Sequence, residues 1–156
     1  MRKPTNTIDF RHLSVHEGPE DSPGFLLWRV NMYWRTAIEG VLKPLDLTHP
    51  QFVVLATTGW LTRDKKPISQ IDIARQAGID PNTTSQIVRG LERKGLIKRA
   101  QKLNERNKNP TLTATGTEKL KKALPAVEKA DAEFFGILSE KDLKVLVTSM
   151  IKLGYQ

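Results

Sequence analysis

Cysteine is absent from this chain. That excludes disulfides, Cys-ligated zinc, Fe–S clusters and cysteine nucleophiles. Long hydrophobic runs are absent too: no apolar stretch reaches the roughly eighteen residues that a transmembrane helix requires. The opening Met1-Arg2-Lys3-Pro4-Thr5-Asn6 is not followed by an apolar core of signal-peptide length, so a cytoplasmic protein without membrane contact is expected. There is no Gly-rich phosphate loop, nucleophile elbow or paired-carboxylate motif. With no cysteine, a zinc site would need all three histidines or added carboxylates. His12 and His16 lie four apart in a segment without a helical pattern, and His49 stands alone. The expectation is no enzyme, no cofactor and no metal. Internal repeats and low-complexity segments are also missing.

What is present is a chain of 156 residues, 38% hydrophobic and 27% charged, which suits one soluble domain with a real core. Lys and Arg number 25 against 17 Asp and Glu, a net charge of +8. The pI near 9.8 points to an anionic partner, either nucleic acid or an acidic membrane surface.

The stretch from Ser69 to Thr113 organises the rest. Ser69 and Asp72 form a capping-box-like start, and Ile73, Ala74 and Ala77 follow at helical spacing. Gly78 can take the left-handed conformation that ends the helix. Asp80 is then a second N-cap with Pro81 in the first helical position, where a missing N–H costs nothing. The next helix carries Thr84, Ile87, Val88 and Leu91 on one face and stops at Gly95. Two short helices joined by a tight Gly-containing turn make a helix-turn-helix. Asn82, Thr83, Ser85, Gln86 and Arg89 fall on the opposite face. They are hydrogen-bonding side chains near a helix N-terminus, as a reader of base edges in the major groove requires. The same face also suits simple solvation, because most helices have a polar outer side.

The segment beyond the helix favours nucleic acid. Leu96 to Ala100 forms a short strand candidate, residues 101–109 are polar and basic, and Thr111 to Thr113 returns as a strand with Pro110 at its entry. Strand, basic loop, strand is a wing. Between Asn82 and Asn109 stand eight cations (Arg89, Arg93, Lys94, Lys98, Arg99, Lys102, Arg106 and Lys108) against Glu92 and Glu105. The net +6 is most of the chain's +8, packed into under a fifth of its length, an electrostatic footprint for phosphate.

These residues resemble the MarR (multiple antibiotic resistance regulator) family of winged helix-turn-helix transcription regulators. The resemblance is carried by Asp80-Pro81-Asn82-Thr83, by Leu91-Glu92-Arg93-Lys94-Gly95-Leu96-Ile97-Lys98-Arg99 and by Leu112-Thr113-Ala114-Thr115-Gly116. Leu47-Thr48-His49-Pro50-Gln51 adds to it, and the similarity runs from about Phe25 onward. It implies a mainly α fold with a small β-wing, flanked by N- and C-terminal dimerisation helices. It also implies that Arg106, counted back from Leu112, enters the minor groove, with Asn104 where the family often has Asp. The thiol-based peroxide sensing of some relatives is excluded by the missing cysteine.

The flanks fit that plan. Residues 1–24 read as an arm in which Ile8, Phe10, Leu13 and Val15 alternate along an extended piece, or as a disordered tail. From Phe25 to Lys43 apolar residues occupy more than one stripe, so the helix should be buried on two sides and end at Pro44. Thr48 caps a second, mostly buried helix ending near Gly59 or Leu61, and Lys66-Pro67-Ile68 is a candidate first strand. A long helix after Gly116 carries a seam of Leu120, Leu124, Val127, Asp131, Phe134 and Leu138, with Pro125 inside it. Ser139 to Asp142 opens the last helix, striped by Leu143, Leu146, Val147, Met150 and Ile151. The expected organisation is an arm at 1–24, dimerisation helices at 25–47 and 114–156, and a DNA-binding domain at 48–113.

The candidate DNA contacts are Ser69, Gln70, Asn82, Thr83, Ser85, Gln86, Arg89, Lys102, Arg106 and Lys108. The expected partners are a pseudo-palindromic double-stranded operator and a second copy of the chain. The resemblance also implies a small effector, such as an aromatic acid, that relieves DNA binding. Trp28, Arg29, Trp34, Arg35 and His49 are candidate lining residues, though core or interface packing explains the tryptophans as well. A second class of reading stays open: a non-catalytic winged-helix module that docks on RNA or protein.

Overall fold

The computed structural model describes residues 8–100 and 109–154. The chain divides into two compact units, Met1–Arg35 and Thr36–Gln156. In the first, Asp9 accepts from the Arg11 N–H and starts a 3-10 turn over Phe10–His12, and Pro19–Asp21 forms another. The expected extended alternation of Ile8, Phe10, Leu13 and Val15 is therefore not found. The Asp9 cap and Pro19 favour tight turns, and all four apolar side chains are exposed. Helix α1, Pro23–Leu42, begins in this unit, where Phe25 and Trp28 stack at 5.9 Å, and ends in the second.

The second unit holds the core. α1 is followed by a 3-10 turn at Lys43–Leu45, and α2 spans His49–Thr62. Thr48 caps α2 in a reciprocal box with Gln51. Next come α3, Gln70–Ala77, and α4, Pro81–Arg93. Gly78, at φ +65°, makes the turn between them, a conformation that L side chains rarely adopt. Strands β1, Ile97–Ala100, and β2, Asn109–Leu112, pair antiparallel with Ile97 opposite Leu112 and Arg99 opposite Pro110. The long helix α5 is Ala114–Phe135, and α6 is Glu140–Gly154. Ser139 and Asp142 make the expected cap of α6.

α2 lies at the centre, packing on α3, α4, α5 and β2. Its Val54 and Leu55 are fully buried beside Ile73 from α3 and Val88 and Leu91 from α4. Burying each such side chain contributes about 1.5–3 kcal/mol, which explains why such short helices hold together. Thr58 is buried as well, and its hydroxyl is satisfied by the Val54 carbonyl at 2.7 Å.

Three boundaries differ from expectation. Lys66-Pro67-Ile68 forms no strand among the described residues; Ile68 is buried as a core plug, and Pro67 has no N–H to offer a ladder. β2 begins at Asn109 and takes Pro110, fully buried, into its body. A two-stranded ribbon has only edge strands, so Pro110 needs no partner on its outer side. Thr113 is the N-cap of α5 and not a strand residue, so that helix starts before Gly116.

Candidate nucleic-acid interface

The face of α4 divides as its spacing predicts. Thr84, Val88 and Leu91 are buried, while Asn82, Thr83, Gln86 and Arg89 are exposed and Ser85 is half-buried. Asp80 fixes the start, its carboxylate accepting from the Thr83 N–H at 2.9 Å. The bonds from Thr83 hold the Asp80 carboxyl below its ordinary value of 3.8. The features of a base reader are therefore present on one element: a capped N-terminus, donor and acceptor side chains, an exposed arginine and a buried opposite face.

Ser69 and Gln70 stand at the start of α3. The Ser69 hydroxyl donates to Asp72 at 2.8 Å and accepts from the Asp72 N–H at 3.2 Å, so it is engaged as the cap. The Ser69 N–H, and then its hydroxyl, lower the Asp72 pKa. Gln70 is half-buried on the first helical position. Lys102, Asn104, Arg106 and Lys108 lie outside the described residues.

The basic footprint is smaller than the count of cations suggests. Arg99 of β1 forms a bidentate pair with Glu92 of α4, and both side chains are only about one-fifth exposed. Their charges cancel, and the pair ties the wing to the last turn of α4. Lys94 is turned onto Asp46 and Gln51. Arg89, Arg93 and Lys98 are exposed as well.

The wing is anchored at its other end by Thr113. Its hydroxyl donates to the Gly95 carbonyl at 2.6 Å and accepts from the Gly116 N–H at 2.9 Å. Its own N–H donates to the Leu96 carbonyl at 3.1 Å. A Cβ on Gly116 would lie 1.9 Å from that same carbonyl oxygen, so only glycine lets α5 start so close to the entry of β1. Leu112-Thr113-Ala114-Thr115-Gly116 is thus a clasp at the base of the wing.

Of the candidate effector residues, Trp28, Arg29, Trp34 and Arg35 belong to the first unit. Trp28 is exposed, Trp34 is half-buried and the Arg29 guanidinium lies 5.9 Å from the Phe25 ring. His49 belongs to the second, beside a cleft of about 420 Å³ that it shares with Glu39, Lys43, Asp46 and Lys94. The sequence reading missed a wider cleft of about 650 Å³ between α2, α3 and α5. Trp60, Arg63, Gln76, Leu120, Leu124 and Glu128 line it, with the Arg63 guanidinium 3.7 Å from the Trp60 ring centroid. The i, i+3 spacing of Trp60 and Arg63 was the available signal. No helix among the described residues is long and apolar enough to cross a membrane.

Comparison with known proteins converges on one family. The profile described as "MarR family" matches residues 47–108. The chain is 36% identical over 137 residues to the uncharacterized HTH-type transcriptional regulator YdcH of Bacillus subtilis, covering 83% of this chain and 88% of that protein. It is 31% identical over 137 residues to the HTH-type transcriptional repressor Rv2887 of Mycobacterium tuberculosis, covering 86% and 96%. The crystal structure of Rv2887 in complex with DNA matches with a TM-score of 0.63 at 30% identity over 85% of this chain and 98% of that one. The Bordetella bronchiseptica regulator BpsR matches in fold, with a TM-score of 0.80 at 23% identity over 92% and 99%.

Proposed function

The chain belongs to the MarR family of winged helix-turn-helix transcription regulators, and on that premise we propose that it is a dimeric, sequence-specific repressor released from DNA by a small aromatic acid. The observation that carries the DNA reading is the exposed face of α4, where Asn82, Thr83, Gln86 and Arg89 stand opposite a buried stripe. Two such helices in a dimer reach successive major grooves about one helical turn apart. The wing arginine Arg106 then reads the flanking minor groove, and Lys102 and Lys108 contact phosphate. Catalysis has no place in this reading, and the protein acts in the cytoplasm.

The effector reading rests on two supports. Among the relatives, Rv2887 has been solved with salicylic acid, and DNA binding by BpsR is regulated by 6-hydroxynicotinic acid. In this chain the cleft at Trp60 and Arg63 supplies an aromatic wall and a cation, which suit an aromatic carboxylate. Genomic binding-site selection tests the DNA reading. The expected product is a set of pseudo-palindromic sites, bound more tightly than random duplex at physiological salt. If no duplex is preferred, the alternative of an RNA- or protein-docking module takes its place. Salicylate titrated into the protein–operator complex tests the effector, with DNA release and quenched tryptophan emission expected.

A further inference from the structure

Lys94 follows the last residue of α4 and reaches to the connection between α1 and α2. Its ammonium donates to the Asp46 carbonyl at 2.6 Å and to Gln51 Oε1 at 3.2 Å, and lies 3.1 Å from an Asp46 carboxylate oxygen. The connection it grips is tightly built. Asp46 adopts a left-handed conformation at φ 52°, against the steric preference of L residues. Its N–H returns to the Lys43 carbonyl at 3.0 Å, and the Leu47 N–H returns to the Leu42 carbonyl at 3.3 Å. Carbonyls at such a helix end have no partner within the helix. Two lysines supply the missing donors: Lys94 for Asp46, and Lys119 of α5 for Leu45 at 3.0 Å. Gln51 is shared, because its Oε1 also accepts from the Thr48 N–H that opens α2.

We infer that Lys94 is a positioning residue for DNA recognition, which holds the C-terminal end of α4 against the α1–α2 connection and so sets the angle at which α4 meets base edges. The inference rests on α4 being the recognition helix. α4 has 13 residues and is about 20 Å long, and a rigid helix carries a displacement at one end to the other. Hydrogen bonds to base edges tolerate errors of only a few tenths of an ångström. Contacts from flexible lysines and arginines to phosphate tolerate far more. Loosening the far end should therefore cost sequence-specific binding more than general affinity. The Asp46 side chain is 85% exposed, so its carboxylate is screened by water. The bonds to the Asp46 carbonyl and to Gln51 carry the hold.

The test uses the full-length protein, a duplex enriched by the wild type from a random pool, and an unselected duplex of equal length. Lys94→Met keeps the stem and removes every donor. Its affinity for the enriched duplex is expected to fall about tenfold, the scale of lost charge-assisted hydrogen bonds. Affinity for unselected duplex should stay within about twofold, and the dependence on salt should keep its slope. Helical circular dichroism and dimer mass should match the wild type. Equal losses on both duplexes, with a slope reduced by about one, would make Lys94 a phosphate contact and overturn the inference. Unchanged binding to both would overturn it too. Should Lys94→Met lose its helical signal, Lys94→Gln, which keeps an uncharged amide donor group, is read by the same criteria at smaller amplitude. A wild type that enriches no duplex sinks the DNA reading and this inference together, whereas failure confined to the variants sinks this inference alone.

Discussion

Gly116 shows how one atom can decide a junction. A methyl group there would stand 1.9 Å from the Leu96 backbone oxygen, and a main-chain group cannot swing aside as a side-chain tip can. Gly116→Ala should therefore lower stability by about 1–3 kcal/mol, read as an earlier urea midpoint with unchanged slope. Arg89 is decided by its exposure on the polar face of α4. Arg89→Ala should cost about 1–3 kcal/mol of discrimination between sites, measured as the ratio of affinities for operator and random duplex. Equal loss on both duplexes would reduce its role to phosphate contact. Arg106→Ala should instead weaken operator binding, flatten the salt slope by about one unit and relax the preference for A·T-rich flanks. An unchanged affinity and slope would remove the wing from the interface.

At the scale of the element, the helices are held at their starts by short side chains, and the acidic cap of α4 has a pH signature. Asp80 has its folded pKa depressed by the bonds from Thr83. A depressed value means that the carboxylate stabilises α4 above the ordinary 3.8 and that this contribution fades as pH falls through the lower folded value. Asn caps about as well as Asp without the charge. Wild type should therefore melt higher than Asp80→Asn at pH 7, and the gap should close in acid below 3.8. A gap that persists unchanged at that pH would show that the charge contributes nothing. The wing is an element held from two sides. Arg99 on Glu92 fixes β1 to α4, and Thr113 fixes the exit of β2 to Gly95 and Leu96.

The whole molecule leaves apolar surface uncovered. Among the described residues of α6 none is buried, and Val147, Met150, Ile151 and Leu153 are all exposed. Leu124 extends the exposure along α5, whereas Leu138, expected in the same seam, is exposed beyond the end of that helix at Phe135, and Ala123, Val127 and Ala130 turn inward. A stripe of that kind is unstable in water and suits a second copy of the chain. Ile151→Glu should yield monomers by light scattering and abolish tight binding to a two-half-site operator, with the helical signal retained. A dimer that survives this charge would place the subunit interface elsewhere.

The sequence by itself determined the local punctuation of the chain. Thr48 with Gln51, Ser69 with Asp72, Asp80 with Thr83 and Ser139 with Asp142 all found their partners three residues away, because a capping hydrogen bond closes within one helical turn. The split face of α4 was legible for the same reason, since helical period alone assigns its sides. Tertiary structure alone decided which cations are already paired within the fold. Lys94 is engaged by Asp46, 48 residues away, and Arg99 by Glu92 across a strand and a turn, and no charge count reveals such partners. It also decided that Lys66-Pro67-Ile68 forms no strand, that Pro110 is buried inside one, and that Gly116 has no room for a methyl group. Each depends on what another segment brings alongside, and that proximity exists only once α2, α5 and the wing have packed.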